Sequence, residues 1–203
     1  ATAGESSPKL FQRMADHIVA MDNLDRLDPQ TLANSVWAYA TAKETNPKLF
    51  WKVADHIVAL DSLRAFKSQE LANMVWAYAS AKELNPKLFE KVANHIVLLD
   101  RLDQFYPQAL AMIVWAYATA GESYPKLFQK VSDAALKQQQ LFKPQPQEVA
   151  NFLWAHATNG QIDKTSKCII RGNLLLHLCS ANSMSRNWQT LPGRVQLQTP
   201  LLQ

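Results

Sequence analysis

The stretch LANSVWAYATA, residues 32–42, returns as LANMVWAYASA from Leu71, LAMIVWAYATA from Leu110 and VANFLWAHATN from Val149. Trp37, Trp76, Trp115 and Trp154 are each 39 residues apart, without a slip. A fixed period in this range constrains a chain more than any composition does. It demands stacked supersecondary units, each burying its apolar face on the next.

A second recurrence falls on the same beat. PKLFQRMADHIVAMD, residues 8–22, returns as PKLFWKVADHIVALD from Pro47, PKLFEKVANHIVLLD from Pro86 and PKLFQKVSDAALKQQ from Pro125. Ser7, Asn46 and Asn85 each precede a proline, which predicts a capped helix start with proline at its first position. Projected at 100° per residue, Leu10, Phe11, Met14, Ala15, Ile18 and Met21 form one apolar face, and Lys9, Gln12, Arg13 and Asp16 gather opposite. The WAYA segment predicts a second helix starting near Asp28-Pro29, Ser68, Tyr106-Pro107 and Gln145-Pro146, apolar or small on most sides. The expected fold is therefore all-α: an αα-hairpin solenoid, wound as a right-handed superhelix of 39-residue repeats. Four units span residues 8–46, 47–85, 86–124 and 125–163.

What flanks the units differs from them. Residues 1–7, ATAGESS, match ATAGESY at 118–124 in all but the last position and resemble the end of a truncated upstream repeat. Residues 164–203 lose the period and hold five basic residues and no acid, whereas residues 1–163 carry 16 Lys/Arg against 17 Asp/Glu. The net charge of +4 thus belongs to that divergent tail, which is either a capping segment or a gene-model artefact. No apolar run approaches the roughly 20 residues of a membrane span. Cys168 and Cys179, with His177 between them, make no zinc spacing, so no metal and no cofactor is expected.

Three columns of side chains invite a functional reading. Lys9/Arg13, Lys48/Lys52, Lys87/Lys91 and Lys126/Lys130 recur on the polar face of all four first helices, and stacking aligns them into a basic stripe for RNA phosphates. The bland alternative is a solvated face. Between these charges one position varies, as Gln12, Trp51, Glu90 and Gln129; it would face bases, one per repeat, or else record surface drift. His17, His56 and His95 recur beside Asp16, Asp55 and Asn94, but adjacent helical residues diverge by about 100°. No nucleophile recurs near them, so no catalytic residue is assigned and an enzyme is not expected. Trp37, Trp76, Trp115 and Trp154 are expected as buried core anchors, and Asn34, Asn73 and Asn151 beside them as partners of backbone groups between repeats.

PQTLANSVWAYA and its copies resemble the second-helix signature of octotricopeptide repeats, and are similar to the repeats of FAST-kinase-like and RNA-editing substrate-binding complex proteins. The resemblance covers residues 1–163, although the first helices open on PKLF instead of a proline-rich stretch ending in Glu-Trp. It implies a non-enzymatic solenoid that binds single-stranded RNA in a mitochondrion or chloroplast and guides its processing, stability or translation. Protein partners are a further expectation, and the competing one is a tetratricopeptide-like scaffold holding a peptide in its groove.

Overall fold

The computed structural model describes residues 7–138 and 145–160. They form eight helices: α1 (Pro8–Ala20), α2 (Pro29–Ala42), α3 (Pro47–Ala59), α4 (Ser68–Ala81), α5 (Pro86–Leu98), α6 (Pro107–Ala120), α7 (Pro125–Gln138) and α8 (Pro146–Thr158). No strand occurs among the described residues. The chain is a helical solenoid of αα-hairpins. The flanking segment 1–6, the tail and its cysteines lie outside the described residues.

The helix starts obey the chemistry of the first turn. The side chains of Asn46 and Asn85 accept the N–H of Leu49 and Leu88, each at 3.1 Å. Asp28 does the same for Thr31 at 2.6 Å, and Glu70 reaches back to the N–H of Lys67 at 2.8 Å. Ser7 departs from expectation: it makes no side-chain cap, so α1 begins on proline geometry alone. α2, α4 and α6 end on a left-handed residue, at Lys43, Lys82 and Gly121. The next N–H then turns back onto the carbonyl of Tyr39, Tyr78 or Tyr117 and satisfies it.

Each hairpin is closed by an aromatic couple joining its two signatures. The phenol of Tyr39 donates to the carbonyl of Phe11 at 2.5 Å; Tyr78 and Tyr117 donate to Phe50 and Phe89, each at 2.7 Å. The same residues meet edge to face, with ring centroids 5.0–5.1 Å apart. Burial pushes the hydroxyls of Tyr78 and Tyr117 far above the ordinary tyrosine range, so they remain neutral donors. In the fourth hairpin His156 replaces the tyrosine and is too short to repeat that bond. Its Nδ1 donates to the Phe152 carbonyl at 2.8 Å, and its Nε2 accepts from the Ser132 hydroxyl at 2.8 Å. Ser132 stands where Ala15, Ala54 and Ala93 stand in the other units. One exchange therefore compensates the other, 24 residues away.

Units join through two layers of unequal spacing. α2, α4, α6 and α8 pack on one another along their lengths through small side chains such as Ala72, Ala77, Ala111 and Ala116, all buried. α1, α3, α5 and α7 stay farther apart. A stack with one layer more closely spaced curves toward that layer, so the second helices line the inside of the bend.

The first helices are joined by a lysine. Lys52 Nζ donates to the carbonyls of Val19 and Met21, at the C-terminal end of α1. Lys91 does the same to Val58 and Leu60 at the end of α3, and Lys130 to Val97 and Leu99 at the end of α5. An ammonium at a helix C-terminus satisfies carbonyls that lack intrahelical partners and meets the negative end of the helix dipole. Replacing Lys91 by Met keeps the aliphatic stem and removes this joint. Unfolding in denaturant is expected to show a loss of about 2 kcal/mol, as for charge-assisted hydrogen bonds. Lys87→Met, on an exposed neighbour, should shift stability by no more than about 0.5 kcal/mol. Equal stabilities for the two variants would mean that the lysine joint contributes nothing.

Candidate nucleic-acid interface

The lysine joint changes the expected basic stripe. Lys9, Arg13, Lys48, Lys87 and Lys126 are exposed on the outer face of the first helices, as expected. Lys52, Lys91 and Lys130 are not solvated; they are half-buried and turned onto the preceding unit. On the wheel they fall beside Leu49 and Val53 and their equivalents, the flank that contacts the unit before. Exposed Asp16, Asp55, Glu90 and Asp133 alternate with the remaining cations. What is left is a mixed-charge surface instead of a continuous positive track.

The varying position on that face is exposed in every unit, and Trp51 is 63% accessible. Two of its occupants already have partners: Gln12 donates to Asp16 at 2.8 Å and Gln129 to Asp133 at 3.1 Å. The histidine column divides by neighbour. His17 is exposed, whereas His56 Nδ1 lies 3.7 Å from Asp25 in the preceding interhelical loop. His95 meets Arg64 at the equivalent place; burial first, and then that positive charge, hold its pKa below the usual histidine range. These contacts are joints between units and bring no reactive group alongside.

A different column emerges on the second helices. Burial of the four tryptophans, expected as core anchors, is partial, and Trp76 and Trp115 pack against the core from its edge. Trp37 and Trp154 are 40% and 38% accessible, and Trp76 and Trp115 are half-buried. The anchor is the tyrosine two positions on, whose ring points into the hairpin; the tryptophan falls at the edge of the buried arc and emerges on the inner side of the bend. There the rings stack unit upon unit. Trp76 and Trp115 have centroids 6.5 Å apart at 29°, and Trp115 and Trp154 are 6.4 Å apart at 35°.

Uncharged polar side chains share this surface. Gln30, Gln69, Gln108 and Gln147 stand seven residues before each Trp, and Thr41, Thr119 and Thr158 four after; the hydroxyl of Ser80, at the equivalent place in the second unit, is buried. Asn34, Asn73 and Asn151 stand three before. Gln69 donates its amide to Asn73 Oδ1 at 2.8 Å, and Gln147 to Asn151 Oδ1 at 2.8 Å. The asparagines of the second and fourth units thus pair with a side chain on their own helix, not with backbone at the junction as expected. α2 and α6 contain no charged residue at all, and the only ones in α4 and α8, Glu70 and Glu148, are held at their helix N-termini. The inner surface is therefore aromatic and amide-bearing along its length. Such a surface stacks flat rings and exchanges hydrogen bonds with their edges.

The tryptophan column escaped the sequence reading because WAYA is apolar throughout. One signal pointed the right way: tyrosine, not tryptophan, is exchanged together with the residue facing it, as Ser132 and His156 show.

Among the described residues no cluster of His, Cys, Asp and Glu is arranged to hold a metal, and no helix is long and apolar enough to cross a membrane. Residues 4–163 match the protein-family model described as RNA-editing substrate-binding complex 6 protein. The search of curated proteins gave no significant match.

Proposed function

From the premise that this chain belongs to the RNA-editing substrate-binding complex 6 family, we propose that its solenoid is a non-enzymatic module that binds single-stranded RNA along the second-helix layer. The observation that carries the proposal is the stacked column of Trp76, Trp115 and Trp154 on an uncharged, amide-bearing surface. Bases of single-stranded RNA are available to stack on such rings, whereas a duplex hides them. The role that follows is in processing, stability or translation of organellar RNA, with the mitochondrion as the compartment and kinship to octotricopeptide repeats as the wider setting. The exposed lysines of the first helices are left to solvent or to secondary phosphate contacts.

A protein segment is the competing occupant, and the lack of charge on the inner layer speaks for it. A salt series decides between them and also tests the face. Each phosphate neutralised on a single strand contributes about −0.7 to the slope of log K against log salt. Binding of random single-stranded RNA is expected with a slope no steeper than about −2, corresponding to about three phosphates. Lys48→Gln with Lys87→Gln should leave that slope nearly unchanged. A slope that flattens by about 1.4 in this variant would return the RNA to the first-helix face. No binding of any single-stranded RNA would leave the peptide scaffold as the better reading.

A further inference from the structure

The amides beside the tryptophans differ between units in a way that simple stacking does not require. In the second and fourth units a glutamine and an asparagine, one helical turn apart, are locked together: Gln69 onto Asn73 and Gln147 onto Asn151. In each pair the glutamine N–H is committed to the asparagine oxygen. The asparagine NH₂ and the glutamine oxygen remain, a donor and an acceptor in a fixed relation, one turn before a ring that can hold a base. The third unit keeps Gln108 and Trp115 but has Met112 at the asparagine position, which offers no hydrogen bond.

The ring spacing sets how many bases such a row can take. The centroid separations of 6.5 and 6.4 Å set one ring per repeat along the row, about twice the step of about 3.4 Å between stacked bases, so each ring can take one base on its face.

We propose that Gln69–Asn73 and Gln147–Asn151 read the edges of bases stacked at Trp76 and Trp154, and that Met112 makes the third unit blind to base identity. This rests on the reading of the second-helix layer as the RNA face, and it adds selectivity to that reading. Across the second to fourth units a bound strand then carries two discriminated positions with an undiscriminated one between them. The asparagine NH₂ and the glutamine oxygen together can meet a base edge with one donor and one acceptor, and loss of such a pair is felt as about tenfold discrimination or more.

The test is selection of bound sequences from a randomised single-stranded RNA pool by the full chain, followed by titration of single-base variants of the winner. The unaltered protein should show a preference, a blank and a preference. Asn73→Met should flatten the first preference to less than about twofold while affinity for the pool stays within a few-fold. Met112→Asn, carrying its own glutamine partner in Gln108, should write a new preference of about tenfold into the blank. If both variants keep the original pattern although RNA still binds and still needs Trp76, the amides do not read bases and the proposal falls, with the RNA reading intact. If the chain binds no RNA, or binds it equally without Trp76, the reading of this face falls and the proposal with it.

Discussion

Replacing Trp76 and Trp115 together by leucine should weaken single-stranded RNA binding at least about 30-fold while the solenoid stays folded. Base–aromatic stacking contributes about 1–3 kcal/mol per base, so two rings account for a loss of this size or greater. Leucine keeps an apolar stem against the neighbouring unit and preserves helix propensity, so the change removes the ring and little else. The stability cost should be modest, because both tryptophans are half-buried and their mutual stacking is worth about 0.5–1.5 kcal/mol. Affinity by fluorescence anisotropy and stability by urea unfolding, measured on the same preparation, separate the two effects. Undiminished affinity would remove the second-helix layer from consideration. A collapse of stability with affinity lost only in proportion would make packing against the core the main role of these residues.

The largest expected effect on stability lies elsewhere, at Phe89. It is fully buried, meets Tyr117 edge to face at 5.1 Å, and offers its carbonyl to the same tyrosine at 2.7 Å. Phe89→Ala should cost about 3–5 kcal/mol, as for truncation of large aromatic core residues. Tyr117→Phe, which deletes only the hydroxyl and leaves the Phe89 carbonyl with its bond inside α5, should cost about 0.5–1.5 kcal/mol. Because units contact only their neighbours, damage in the third unit should split cooperative unfolding into steps. Retention of a single sharp transition with near-parental midpoint in Phe89→Ala would show that the aromatic couple does not hold the hairpin.

The fold was legible because its signals are local and repeat. Proline after a capping residue marks a helix start wherever it stands, and four copies of PKLF and WAYA set the hairpins before any packing is known. The site was less legible, since helical projection assigns an angle to a side chain without naming what lies at that angle. Lys48 and Lys52 both fall on the polar half of α3, yet one meets water and the other the carbonyls of α1. Only stacking reveals that difference. Trp76 and Tyr78 pose the converse problem, for both are aromatic residues in an apolar run. Which of them anchors the hairpin depends on a reach to Phe50 across 28 residues of chain. Asn73 and Met112 show why selectivity is harder still to read: a single exchange looks like drift until the partner glutamine is seen holding the asparagine in place.

The lysine joint has a consequence for how such arrays change over time. Lys91 grips only main-chain oxygens of the unit before it, and every amino acid supplies the same oxygen there. The clasp is therefore indifferent to the identity of what it fastens. A hairpin can be duplicated, lost or moved to another position, and its new neighbour will accept it without further adjustment at that seam. The clasp also has a direction, because each unit closes the end of its predecessor and leaves its own end to be closed by its successor.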